Sequence, residues 1–124
     1  NILKPITEKR GITLVEYTRI RDILITHGDK IIEDNSKIII IGHEHPAITF
    51  KDKGKIEKFK CFLKGKWKEK TLIVMPSFNP LLEGIDVIKD QLLSPYLTDI
   101  SKFETFVISK KEVFNFGTIE DLRK

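Results

Sequence analysis

Four consecutive isoleucines, Ile38 to Ile41, interrupt the alternation of apolar and polar residues that runs through most of the chain. A run that does not alternate suits a strand buried on both faces, as in a parallel sheet. It stops abruptly at Gly42-His43-Glu44-His45-Pro46. The flanking pattern predicts about seven strands and little helix. Ile12 to Tyr17 alternates with Thr and Glu and reads as a strand. Arg19 to Thr26 starts polar and turns apolar, as a strand entering a core does, and ends at His27-Gly28-Asp29. Ala47 to Phe50 resumes extended structure, and Asp52-Lys53-Gly54 reads as a hairpin turn. Ile56 to Leu63 and Thr71 to Met75 are further strands, the second closed by the Pro76–Pro80 segment. Phe103 to Ser109 alternates well, and Val113 to Phe116 is a shorter candidate. Short helices are expected at Leu3–Arg10, from Asp29 through Asn35, and at Ile119–Arg123. Leu81 to Thr98 is irregular. The fold class is therefore α/β, with a parallel-type strand in the first third and antiparallel hairpins after it.

Composition narrows the function classes. A chain of 124 residues is one domain or part of one. With 40% apolar and 32% charged residues spread along its length, it has enough apolar surface to fold. Twenty-two Lys and Arg against 18 Asp and Glu leave a net charge of +4, which permits a polyanionic substrate without demanding one. A single cysteine, Cys61, excludes a disulfide framework and suits a reducing, cytoplasmic setting. No apolar run nears the ~20 residues of a membrane span, and no signal segment is visible at the start.

Three histidines are present, His27, His43 and His45, and each stands where an apolar run ends. Ligand sites in α/β sheets lie at such strand ends. His43 and His45 are separated by one residue, so an extended segment would point both to one side. Imidazole is a common ligand of transition metals, and the pattern offers metal binding against a hydrogen-bonded histidine trio.

Gly42-His43-Glu44-His45 has the form G-H-x-H, and Thr26-His27-Gly28-Asp29 precedes it at a strand end. Together they resemble the last two motifs of the calcineurin-like metallophosphoesterases. The longer phrases Ile25-Thr26-His27-Gly28-Asp29, Ile40-Ile41-Gly42-His43-Glu44-His45-Pro46-Ala47-Ile48 and Met75-Pro76-Ser77-Phe78-Asn79-Pro80 resemble the archaeal ICC-like branch, related to the SbcD nucleases. The resemblance runs from Asn1 to about Leu122. It implies the C-terminal half of a four-layer α-β-β-α sandwich, with residues 1–124 as the C-terminal part of one metallophosphoesterase domain. The family's three earlier motifs have no match here: no Asp-x-His occurs, no Asn precedes a His, and the one Gly-Asp, Gly28-Asp29, falls in the fourth motif. The expected partner is thus a missing N-terminal half of the same domain, carrying the bridging aspartate, the asparagine ligand and the general-acid histidine.

By resemblance, His27 and His43 hold one metal ion and His45 the other. The implied cofactors are two divalent ions, manganese first, with iron, zinc and nickel as alternatives. The implied reaction is hydrolysis of a phosphomonoester or phosphodiester, nuclease-like action on nucleic acid included. The catalytic general acid lies outside this chain. Asp29 is a candidate to orient His27 or to cap a helix. Glu44 is a candidate for substrate contact, or for a salt bridge or solvent contact on the side away from the metals. Asn79 is a candidate for a loop closing the site, or for a plain turn. The stretch Lys64-Gly65-Lys66-Trp67-Lys68-Glu69-Lys70 suggests the alternative of a non-catalytic, basic nucleic-acid-binding module, with Trp67 stacking a base. Three histidines converging on one site favour the enzyme, and scattered histidines beside an intact basic face favour the binder.

Overall fold

The computed structural model describes residues 16–124. Nine strands and one helix follow in order: β1 (Tyr17–Ile20), β2 (Ile23–Thr26), β3 (Ile38–Ile41), β4 (Pro46–Asp52), β5 (Lys55–Trp67), β6 (Lys70–Val74), β7 (Ile85–Asp86), β8 (Glu104–Ser109), β9 (Glu112–Thr118) and α1 (Ile119–Leu122). They form a mixed sheet in which β3 pairs in parallel with both β2 and β6. The expected central parallel strand of isoleucines is therefore present.

Two expectations give way near the start of the described region. Arg19–Thr26 is not one strand but the antiparallel hairpin of β1 and β2, turning at Arg21, whose φ is 54°. No helix runs from Asp29 to Asn35. That segment lacks an apolar stripe, and its polar groups are tied down elsewhere. Asp34 accepts from the Ser36 hydroxyl at 2.7 Å, and the Lys70 ammonium reaches the Asp34 carbonyl at 2.6 Å. The Ser36 hydrogen bond is the main reason the Asp34 carboxyl titrates below its ordinary range, with Lys70 adding to it. The expected Leu3–Arg10 helix, and all of the Ile12–Tyr17 strand except Glu16 and Tyr17, lie outside the described residues.

The β4–β5 hairpin is placed as its turn chemistry predicts. β4 and β5 pair antiparallel around Lys53-Gly54, with φ of 50° and 82°, both in the left-handed region that a two-residue hairpin needs. β5 is long because three partners share it: β4 along its first half, β8 at its middle and β6 along its end.

The two faces of the parallel strands differ. One carries Leu24, Ile39, Ile41, Leu72 and Val74, all essentially inaccessible. Val87, Tyr96, Leu97, Ile100 and Phe103, from the loop after β7, complete this core. The other face presents Ile25, Ile40 and Ile73 in one cross-strand row, all partly accessible. Phe62 and Phe106, paired across β5 and β8, continue it. The isoleucine strand is thus sealed on one side and half open on the other.

Cys61 lies on the sealed side, fully buried. Burial first, and the Asp86 carboxylate second, push its thiol up to about 12. Since the thiolate is the nucleophile, native protein at pH 8 should resist alkylation by iodoacetamide, with stoichiometric labelling in denaturant. Rapid labelling without denaturant would show that the β5 core opens.

Candidate functional site

β2 and β3 are parallel neighbours, so their C-terminal ends lie side by side. The ladder continues past the strands, with the Gly42 N–H donating to the His27 carbonyl at 3.0 Å. This step holds the loop after β3 against the turn after β2. As a result His43 Nδ1 and His27 Nε2 are 2.9 Å apart, and the rings meet edge to face with centroids 4.7 Å apart. Which nitrogen donates depends on the tautomer of each ring, and whichever accepts turns a lone pair toward the other ring.

Gly28 makes the close approach possible. Its φ is +105°, and a Cβ there would fall 2.8 Å from the Ile41 Cβ. A side chain at this position would drive the His27 turn off the end of β3.

His45 does not join the pair. It sits just before β4 in the left-handed region, with φ 53°. Its carbonyl accepts from the Ile85 N–H at 2.9 Å. Its Nδ1 is buried without a hydrogen-bond partner. Such an orphan is costly, and in native sites it commonly marks a missing ligand. A cleft runs beside it, lined by Leu81, Leu82, Glu83, Gly84 and Ile85. Among the described residues, no group of three His, Cys, Asp or Glu side chains is gathered closely enough to hold a metal ion.

The secondary candidates resolve individually. Glu44 is only 2% exposed, so the solvent contact foreseen for it does not form, and among the described residues it makes no salt bridge. Its side chain turns inward, where one carboxylate oxygen accepts from the Leu93 N–H at 2.8 Å and from the Ser94 N–H. Asn79 makes a turn, its side-chain oxygen accepting from the Leu81 N–H at 3.0 Å. Asp29 is exposed and, with no helix present, caps nothing. Trp67 is half-buried and already has neighbours. Its ring lies against Tyr96 at 4.8 Å, and the Lys68 ammonium sits 4.6 Å from its centroid. Ser94 was not singled out by sequence reasoning, because it lies in the irregular segment between Leu81 and Thr98.

No protein-family model matches the chain. No curated protein matches it. Among solved structures it is similar to the nuclease MPE of Pseudomonas putida, with a TM-score of 0.56 and 16% identity. The likeness covers 86% of this chain and 44% of the nuclease chain, so the chain spans less than half of the nuclease's length. The shared feature is the fold: a mixed, strand-rich arrangement of the kind this nuclease uses. No described helix is long and apolar enough to cross a membrane.

Proposed function

We propose that this chain is the C-terminal part of a metal-dependent phosphoesterase domain, contributing His27, His43 and His45 as ligands of a two-metal centre. The 2.9 Å approach of His43 Nδ1 to His27 Nε2 carries the reading. Two imidazole nitrogens bound to one ion at ~2.1 Å and at right angles lie about 3.0 Å apart. The observed spacing therefore fits a shared ion, provided the proton between the two nitrogens is given up on binding. The orphaned, buried Nδ1 of His45 supports a role for the third imidazole at a second ion. Manganese is the proposed metal. Divalent ions at such a centre supply Lewis acidity and charge neutralisation toward a phosphate group.

Three imidazoles bring no negative charge, so the reading also requires carboxylate ligands from a further segment of the domain. Two observations support that requirement. Parallel sheets are normally covered on both faces, and here the Ile25–Ile40–Ile73 row is half open. The similar nuclease has more than half of its length outside the likeness. A second layer on the open face would give the four-layer sandwich that the sequence motifs suggest. The proposed substrate is a phosphoester, nucleic acid among the candidates, and the proposed setting is cytoplasmic. For the binding-module alternative, Trp67 already contacts Tyr96 and Lys68 and would stack a base only beside them.

The test is titration of the protein with manganese while the histidine ring signals are followed by NMR. Paramagnetic broadening of the His27 and His43 ring signals, lost on His27→Ala, is expected. Absent broadening of these two rings, or broadening that His27→Ala leaves unchanged, would overturn the proposal.

A further inference from the structure

We infer that Glu44 and Ser94 are positioning residues that lock the His27 turn and the His43 loop together. Ser94 is buried, and its hydroxyl donates to the Gly28 carbonyl at 2.6 Å. That carbonyl belongs to the residue following His27. On the other side, the carboxylate of Glu44, the residue following His43, accepts the Leu93 and Ser94 amide N–H groups. One dipeptide, Leu93-Ser94, thus grips both histidine-bearing segments, each one residue beyond its histidine. Both contacts are made to groups distant in sequence, so neither follows from local turn formation.

The cost of the arrangement argues that it serves position. A buried carboxylate is expensive to keep unless it is paired or well hydrogen-bonded. Among the described residues Glu44 has no ion-pair partner, since the ion pairs formed there join other side chains. Its compensation comes from backbone N–H donors alone. An apolar residue at position 44 would spare that cost and lose the link. The ring contact also needs the link, because the ladder bond from Gly42 fixes only the backbone of the two loops. Without the Leu93-Ser94 grip, the residues beyond His27 and His43 are free to swing the rings apart.

The inference about ring contact stands on geometry alone. Its consequence for metal binding rests on the proposed function, and the experiment separates the two. Ser94→Ala removes the Gly28 link, and Ser94→Thr keeps a hydroxyl there. Glu44→Gln keeps an oxygen acceptor for both amides, while Glu44→Asp draws it back by one methylene. Thr105→Val is the control. Thr105 is fully buried on β8, and its hydroxyl donates to the Gly117 carbonyl at 2.9 Å, away from the histidines.

The first readout, taken without metal, is the NOE between the His27 and His43 rings. It should disappear in Ser94→Ala and Glu44→Asp, and persist in Ser94→Thr, Glu44→Gln and Thr105→Val. The second readout is manganese affinity, which should fall about 10- to 100-fold in the two breaking variants and stay near wild type in the other three. A ring NOE that survives both breaks overturns the positioning role. So does an NOE lost equally in Thr105→Val, which would make the effect general destabilisation. If Ser94→Ala does not fold, Glu44→Asp against Glu44→Gln decides by the same criteria. An NOE pattern as expected, in a protein that binds no manganese, upholds the positioning role and refutes the phosphoesterase reading.

Discussion

The isolated 124-residue chain should hydrolyse no phosphoester with manganese present, and the same chain joined to the proposed upstream segment should do so. Ligand count and charge set this outcome. The chain brings two imidazoles into contact and leaves a third with an unpartnered buried nitrogen, but among the described residues no carboxylate joins them. Neutral ligands alone do not offset the charge of two adjacent divalent ions, and the attacking water then has no fixed position. Within the joined protein, His43→Ala and His27→Ala should each lower kcat by about a hundredfold or more, beyond what loss of an outer hydrogen-bond partner costs. The assay is cleavage of a chromogenic bis-aryl phosphate with manganese, with and without a chelator. Full turnover by the isolated chain, or turnover that resists the chelator, would refute the two-metal scheme.

The largest stability effect is expected at Ile39. It is fully buried, in register with Leu24 on one side and Leu72 on the other, both also inaccessible. Ile39→Ala should cost about 2–5 kcal/mol, because the surrounding strands are hydrogen-bonded in place and cannot close on the cavity. Ile40 points to the half-open face between Ile25 and Ile73, so Ile40→Ala should cost only about 1–2 kcal/mol. Urea denaturation gives both numbers, provided the m-value is unchanged. Equal costs at the two positions would mean that the open face is covered in solution.

The contrast between Ile39 and Ile40 also marks what could be read from the residues. Four adjacent isoleucines announce a parallel strand, yet the run is equally apolar on both faces. Which face is sealed depends on residues 87–103, an irregular stretch with no period to read. The Asp52-Lys53-Gly54 turn was legible because glycine after a polar residue has few other uses between two strands. The Arg21 turn was not, since arginine at a positive φ carries no compositional mark. At the site, the end of the isoleucine run marked where His43 stands, just after β3. The spacing of His43 and His45 suggested that the two share a direction, whereas the left-handed backbone at His45 breaks the extended geometry on which that alternation depends. The inward turn of Glu44 was half legible, as a residue between two histidines must face elsewhere. Its partners, the amides of Leu93 and Ser94, come from a part of the chain that nothing in the local pattern connects to it.

The sharing of β5 among three partners has a kinetic consequence. Its pairing with β4 closes over the two-residue Lys53-Gly54 turn, and such hairpins form in roughly 1–10 μs. The parallel pairing of β3 with β6 must instead enclose that whole hairpin before Ile38 meets Thr71, and the β5–β8 pairing spans a longer loop still. Loop closure of this kind is what slows folding in sheets rich in non-local contacts. The hairpin is therefore the early, local event, and the juxtaposition of the β2 and β3 ends with the Leu93-Ser94 segment comes late. The Leu93-Ser94 grip, 49 to 66 residues from the groups it holds, should therefore close after the His27–His43 approach, which spans 16.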